Sequence, residues 1–497
     1  MAENMIKDYE FDKFENPYSN FKRSELGDKL AKFERLVNNL DIPVLIIIDG
    51  WESSGKGFVL NDLIRELDPR LHKVSVFENP TEEERERPFL WRFWKKTPAK
   101  GNIAVFDRSF YFNLMNDLNI DGDELKQAIA DISSIEKELY EDGAIIVKFF
   151  LHQKEKTQKS RIDELRKDKH RSFLVTDEDE AQYKDYDKHL AHFDKILKLS
   201  NFDYSPWNII STEDMKSASK KILGSTLDAI QDGIDRYIGM QNGGMRYIRQ
   251  YIPEKRPLSN VDLSLSLSNE QYVSELKSLQ EEAGKLAYAL YTHRIPTVIV
   301  FEGMDASGKG GAIKRLTRLM DPRGYEVIPI AAPDKTEKSH HYLWRFFNSV
   351  PKRGNMTIFD RSWYGRVMVE RIEGFAKISE WDRAYDEINN MEKHLHNFGT
   401  LLLKFFIYID KNEQLERFEG REHKSDKIYK ITDEDWRNRE KWDEYIEAMN
   451  EVLVRTSTEY APWTIIEGKD KKYARIKVLK QFIESAKEAI ANANKSL

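Results

Sequence analysis

The chain repeats itself, and this constrains its fold more than any other feature. IPVLIIIDGWESSGKG begins at Ile42 and IPTVIVFEGMDASGKG at Ile295. LWRF recurs at Leu90 and Leu343, and FDRS at Phe106 and Phe359. The offsets 295−42, 343−90 and 359−106 are each 253, so the alignment from Ile42 to Tyr111 needs no gap. Further on, Lys148 matches Lys404 and Trp207 matches Trp463, and 404−148 and 463−207 are each 256. So long a period excludes a short-repeat solenoid and implies two copies of one domain-sized unit. Within 497 residues we expect domains at 1–240 and 267–497. Residues 241–266, with Gly, Pro and polar residues in no clean period, form the expected linker.

Both units read as α/β domains. Leu26, Leu30, Phe33 and Val37 match Leu279, Ala283, Leu286 and Leu290 in one-faced helical spacing. Short β-branched runs follow, Val44–Ile48 and Thr297–Phe301, and each ends near glycine as a buried parallel strand does. Further apolar runs alternate with helical stretches: Lys73–Phe77, Ile103–Phe106 and Ile145–Leu151, then Glu326–Ile330, Met356–Phe359 and Leu401–Ile409. That alternation predicts a mainly parallel sheet flanked by helices, with ligands at the carboxyl ends of the strands.

Composition excludes several classes. Lys+Arg is 79 against Asp+Glu 85, a net charge of −6, so the whole chain is no polycation built for nucleic acid. No apolar run approaches the roughly 20 residues that span a bilayer. The first residues, MAENMIKDYEFDKFE, are too charged for a secretory signal. Cysteine is absent, which removes thiol chemistry and suits a reducing compartment. The expectation is a cytoplasmic protein without membrane or nucleic-acid partners. Any polyanion must be held by a local basic site.

Gly303-Met-Asp-Ala-Ser-Gly308-Lys309-Gly310 supplies such a site, because it satisfies the phosphate-loop pattern between a strand and a helix. Its glycines, Gly303, Gly308, Gly310 and Gly311, let backbone N–H groups converge on phosphate oxygens at a helix N-terminus. Lys309 reaches over the phosphates. Ordinary loops continue with a Ser or Thr that binds Mg²⁺, but Gly310 stands there instead. Asp305, inside the loop, and Asp360, at a strand end, offer two carboxylates that suit octahedral Mg²⁺. A helix cap is the alternative role for Asp360. Arg361 is placed to meet the transferring phosphoryl group, and Arg366 and Arg371 follow. Glu370 either holds one of these arginines, aligns the metal, or is a helix-surface charge. The segment Arg417–Lys430 reads as a cationic lid carrying Arg417, Arg421, Lys424, Lys427 and Lys430.

Asp305-Ala-Ser-Gly-Lys-Gly-Gly311 with Asp360-Arg-Ser-Trp-Tyr-Gly-Arg366 and Val369-Glu-Arg371 resembles the polyphosphate kinase 2 family. The resemblance spans both units. It implies two tandem P-loop kinase-like (thymidylate-kinase-like) domains, each with a helical lid. It also implies phosphoryl transfer from inorganic polyphosphate to AMP, giving ADP, with Mg²⁺ or Mn²⁺. By motif match, Asp305 and Asp360 are metal-linked, and Lys309, Arg361 and Arg366 bind phosphate. The rival readings are an ATP-dependent nucleoside monophosphate kinase and a non-catalytic nucleotide- or polyphosphate-binding regulator.

The units are unequal. The first keeps Gly50, Gly55, Lys56, Gly57, Asp107 and Arg108. Yet Glu52 replaces Asp305, Phe58 replaces Gly311, Asn113 replaces Arg366 and Leu118 replaces Arg371. In its lid, Leu165, Asp168 and Leu174 replace Arg421, Lys424 and Lys430. The second unit is therefore expected to be catalytic, and the first a scaffold imitating a homodimer partner or an aid to binding the anion.

Overall fold

The structure, a computed structural model, describes residues 4–241, 254–422 and 433–495. Unit 1 contains β1 (Val44–Gly50), β2 (His72–Val76), β3 (Ile103–Asp107), β4 (Ile145–His152) and β5 (Trp207–Ser211). Unit 2 contains β6 (Thr297–Gly303), β7 (Tyr325–Pro329), β8 (Met356–Asp360), β9 (Leu401–Tyr408) and β10 (Trp463–Glu467). The sheets run β2-β3-β1-β4-β5 and β7-β8-β6-β9-β10. Every pairing is parallel, as the β-branched runs separated by helices require. Val44 pairs with Ile103 and Ile145, and its counterpart Thr297 pairs with Met356 and Leu401, so the two copies share one register.

The central strands are apolar because both faces are covered. Val44 to Ile48 are at most 1% exposed. One covering helix is Arg23–Asn39, whose Leu26, Leu30 and Val37 are buried. Its counterpart Asn269–Thr292 buries Ala283 and Leu290. Sequence pattern therefore located both layers. It did not resolve β5 and β10, whose residues are mixed polar and apolar.

By compactness, unit 1 comprises 1–81, 92–246 and 335–341, and unit 2 comprises 82–91, 247–334 and 342–497. These differ from the continuous spans expected from the sequence. The stretches 82–88 and 335–341 correspond at the repeat offset, and each groups with the unit of the other repeat. Part of the expected linker also has a packed role: Leu258 is 3% exposed, and its N–H donates to Asn450 Oδ1 at 3.0 Å.

One buried device occurs in both units. Lys404 Nζ lies 2.7 Å from Glu392 Oε2, and Lys148 Nζ lies 2.9 Å from Glu136 Oε2, with all four side chains fully buried. Tyr364 donates its hydroxyl to Glu392 at 2.6 Å, and Tyr111 to Glu136 at 2.7 Å. The pair thereby fixes the aromatic residues just after each Asp-Arg-Ser turn to a central strand. Among the described residues, no helix is long and apolar enough to cross a membrane.

Candidate active site

The loop of unit 2 leaves β6 at Gly303, whose φ is 130°. A Cβ there would lie 2.1 Å from the Ile407 carbonyl oxygen of β9, so only glycine fits. Ala306 also takes a positive φ of 60°, and Gly308, at 111°, begins the helix Lys309–Leu316. Lys309 folds back over the loop and donates to Gly303 O at 2.9 Å and Met304 O at 3.1 Å. Burial, then the Arg361 charge, lowers its ammonium from the ordinary value against the pull of Asp305 and Asp360.

Asp305 is the hub. Arg361 Nη2 donates to its Oδ1 at 2.9 Å, and Asn438 Nδ2 donates to its Oδ2 at 2.9 Å. Burial alone would raise this carboxyl, yet Lys309 and Arg361 hold it below the usual carboxylate range. Asp360 ends β8 in register with Phe301, which brings it beside the loop. A Cβ on Gly310 would stand 4.0 Å from Asp360 Oδ2. The missing Ser/Thr position thus faces this carboxylate. Arg361 turns back at a φ of 64° with its N–H on Phe301 O at 3.0 Å. Arg108 repeats this sparsely populated conformation at 61°, so the surrounding fold imposes it in both units.

The other expected residues divide. Arg366 has its Nε 3.3 Å from Glu370 Oε2, and its guanidinium lies 4.5 Å from the Tyr342 ring centroid. Glu370 thus stands beside an arginine. Arg371 is turned into the fold: Nη1 donates to Glu451 at 2.8 Å and to the Tyr385 hydroxyl at 3.2 Å, over Trp381. Arg417 also departs from the lid reading. Its Nη1 donates to Ala306 O and Ser307 O at 2.9 and 2.8 Å, and its Nη2 to Gly468 O and Lys469 O at 2.7 and 3.0 Å. Nε donates to Glu413 at 2.5 Å. All five guanidinium N–H groups are spent. Arg417 braces the loop from below and has no donor left for phosphate. Arg421 lines a cavity of about 470 Å³ beside the loop. Lys424, Lys427 and Lys430 lie outside the described residues.

Sequence reasoning missed two residues. Glu302 is 3% exposed, accepts from Ser362 Oγ at 2.8 Å, and burial pushes its carboxyl up to about 7. Its counterpart Asp49 meets Ser109 and is likewise pushed up to about 7 by burial. The signal was an acid before the first loop glycine, paired with the serine of Asp-Arg-Ser, in both repeats. Asn438 is the other, with Gln182 at its offset, 438−182 being 256.

Unit 1 shows what one methylene does. Glu52 Oε1 lies 3.1 Å from Lys56 Nζ, and Oε2 lies 2.9 Å from Arg108 Nη2. The longer side chain is not merely displaced; it occupies both cations that Asp305 leaves partly available. Burial opposes its charge, but Lys56 and Arg108 hold the carboxyl below its usual range. Gln182 accepts the Glu52 N–H at 2.8 Å, and Ser53 donates to Asp179 at 2.5 Å. This loop is closed by the protein's own groups.

Two carboxylates at one strand edge, with phosphate oxygens, fit a divalent ion that prefers oxygen. Among the described residues, no cluster of three or more His, Cys, Asp or Glu is arranged to hold a metal alone. A second, smaller cavity touches Asp305 and Arg361 and is walled by Gly365, Met368, Trp442 and Tyr445.

The family model "Polyphosphate kinase 2 (PPK2)" matches residues 15–236 and 266–494. The chain is 40% identical over 461 residues to the polyphosphate:AMP phosphotransferase of Pseudomonas syringae pv. tomato, covering 91% of this chain and 92% of that protein. It is 39% identical over 463 residues to the protein of the same name from Pseudomonas aeruginosa, covering 92% and 93%. A crystal structure assigned to polyphosphate kinase 2 from Pseudomonas aeruginosa PA01 superposes with a TM-score of 0.82 at 37% identity, covering 95% of each chain.

Proposed function

The chain belongs to the polyphosphate kinase 2 family, and from that membership we propose that its second unit transfers a phosphoryl group from inorganic polyphosphate to AMP, giving ADP. Relatives named for this reaction align over about nine-tenths of both chains. The observation that carries the assignment to unit 2 is the cluster of Asp305, Lys309, Asp360 and Arg361 at the ends of β6 and β8. Its counterpart in unit 1 is closed by Glu52.

The chemistry needs no covalent enzyme intermediate. A phosphate oxygen of AMP attacks the terminal phosphorus of the polymer. The bridging P–O bond breaks, and the shortened polymer leaves with the electron pair. The acceptor is already anionic, so no strong base is required. Lys309 exchanges its two carbonyl partners for phosphate oxygens. Arg361 turns from Asp305 to the phosphoryl group in flight, where charge spreads over equatorial oxygens. Arg366, paired with Glu370, is a further cation of the same motif. Asp305 and Asp360 would hold Mg²⁺ or Mn²⁺, which when bound neutralises phosphate charge. Arg417 keeps the loop in shape. The AMP moiety enters from the side of the smaller cavity, where Met368 and Trp442 offer apolar faces. Absence of cysteine suits a cytoplasmic setting.

The missing hydroxyl after Lys309 speaks against the ATP-dependent alternative. Purified protein is mixed with AMP and a divalent ion, with either polyphosphate or ATP as donor, and ADP is quantified. ADP should require both polyphosphate and the ion. Vigorous turnover with ATP and none with polyphosphate would overturn the reading.

A further inference from the structure

Asp305 and Glu52 hold the same place in the two loops, and each carboxylate gives one oxygen to the arginine of its Asp-Arg-Ser turn. They part at the second oxygen. In unit 1, Glu52 Oε1 takes Lys56 Nζ at 3.1 Å. In unit 2, Asp305 Oδ2 takes Asn438 Nδ2 at 2.9 Å. Among the described residues, Lys309 makes no ion pair with Asp305 and rests on the carbonyls of Gly303 and Met304. A phosphate can replace those carbonyls without first separating two opposite charges.

Asn438 is fixed from both ends. Tyr445 donates its hydroxyl to Asn438 Oδ1 at 2.9 Å, which leaves Nδ2 to face the carboxylate. The helix that carries Asn438, Asp433–Glu440, is seated by Trp436 edge-on to Phe418, with ring centroids 5.1 Å apart. One residue on, Arg439 donates to Lys411 O at 2.6 Å and to Gln414 Oε1 at 3.2 Å. Gln414 Nε2 in turn donates to Asp305 O at 3.3 Å. The backbone and the side chain of Asp305 are thus tied to one helix.

Unit 1 supplies the contrast. Gln182 replaces Asn438 and His189 replaces Tyr445, 438−182 and 445−189 each being 256. Gln182 turns from the carboxylate: its Oε1 accepts the Glu52 N–H at 2.8 Å, and its Nε2 donates to Asn116 at 2.8 Å. His189 Nδ1 lies 3.1 Å from Asp185 O on its own helix. The unit without the asparagine–tyrosine pair is the one whose loop lysine is spent on its own carboxylate.

We infer that Asn438, oriented by Tyr445, is a positioning residue that holds the Asp305 carboxylate off Lys309 and so keeps the lysine available to phosphate. This rests on the phosphoryl-transfer reading above and adds a residue to it. The methylene of Glu52 is one half of the difference between the loops, and the amide is the other. Asp305 has a side chain only 13% exposed, so losing the amide leaves an oxygen without its partner. Pairing with the Lys309 ammonium recovers that loss, as Glu52 does with Lys56.

The test is a double-mutant cycle on the full chain, read as equilibrium binding of tripolyphosphate without divalent ion. Asn438→Ala should raise the dissociation constant about ten-fold, the scale of coupling between neighbouring polar groups. In the Asp305→Asn background the same change should move it by less than about two-fold, because no carboxylate remains to capture the lysine. Tyr445→Phe should weaken binding by about three-fold through lost orientation of the amide. It leaves Asn438 in place, so it carries the test if Asn438→Ala does not fold. With AMP and a divalent ion, Asn438→Ala should lower kcat by about 10–100-fold, as loss of an orienting outer partner does, with the KM for AMP little changed. Equal losses of anion binding in both backgrounds, or none in either, exclude the role. A rise confined to the KM for AMP also excludes it, since Asn438 would then contact the acceptor. Wild-type ADP formation is scored separately, so a failed reaction assignment leaves the binding cycle readable.

Discussion

Arg417 is where charge and geometry disagree most sharply. By composition it is a lid cation; by position it is a brace, 7% exposed, with its five donors on four backbone carbonyls and Glu413. In Arg417→Lys the charge survives, but three donors on a point charge replace a planar fork of five. At least two carbonyls then lose their partner. A hydrogen bond from a charged group contributes about 1.5–3 kcal/mol, and buried orphaned acceptors add to the cost. A loss of about 3 kcal/mol is the working figure. For a unit of this size each kcal/mol moves Tm by about 2–4 °C, so the transition of unit 2 should fall by about 6–12 °C. Turnover should fall at least ten-fold, because the Ala306–Ser307 turn of the loop loses its support. The salt dependence of the KM for polyphosphate should not change, since no phosphate contact is lost. Arg161→Lys is the internal control. Its Nη1 donates to Ser54 O at 3.2 Å and to Gln153 at 2.7 Å, and its Nη2 to Thr212 O at 2.5 Å. It should lower stability comparably while leaving kcat nearly intact. Calorimetry and steady-state ADP formation on both variants decide the matter. If Arg417→Lys melts like wild type but raises the polyphosphate KM in a salt-sensitive way, Arg417 contacts phosphate and the brace is wrong.

Three further outcomes are expected. Asp305→Asn should cut kcat by about 10²–10³, the usual loss for one well-placed charge-stabilising group, whereas Glu52→Gln should leave kcat within a few-fold; equal partial losses would mean both units turn over. Glu302 and Asp49, each pushed up to about 7, bind protons in the folded state that the unfolded chain has already released. Stability should therefore fall as pH rises from about 4 to about 7, and Glu302→Gln with Asp49→Asn should flatten that slope in pH-dependent melting curves; an unchanged slope would refute the assignment. Lys404→Met leaves Glu392 buried and unpaired and should cost about 3–5 kcal/mol, read by denaturant unfolding; a cost below about 1 kcal/mol would show that the pair carries little.

The repeat, the phosphate loop and the alternation of strands with helices were legible because each is written in local pattern. Positive φ at Gly303 and Gly308 demands glycine, the β-branched runs announce β1 and β6, and two copies at a fixed offset corroborate one another. The short strands β5 and β10 escaped, since polar residues interrupt their apolar ones. The same arithmetic exposed the substitution of Glu52 for Asp305, though not its consequence. A methylene reads as a displacement on paper and becomes an ion pair with Lys56 only once the loop is folded.

What the sequence by itself determined is which residue types gather around the loop and which repeat keeps them. It did not determine which cations face the anion. Arg371 and Arg417 carry the same charge as Arg361, yet Glu451 holds one and loop carbonyls consume the other. Lys471 and Arg475 look in sequence like ordinary helix-surface charges, and the fold turns them onto the loop cavity. The reason is topological. Parallel strands deliver their carboxyl ends to one edge, so the loop that carries Asp305 gathers Asp360, Arg417 and Arg475 around itself from up to 170 positions away, 475−305. A guanidinium then binds whichever acceptors that edge presents, and those acceptors belong to chain segments that its own neighbours in sequence do not specify.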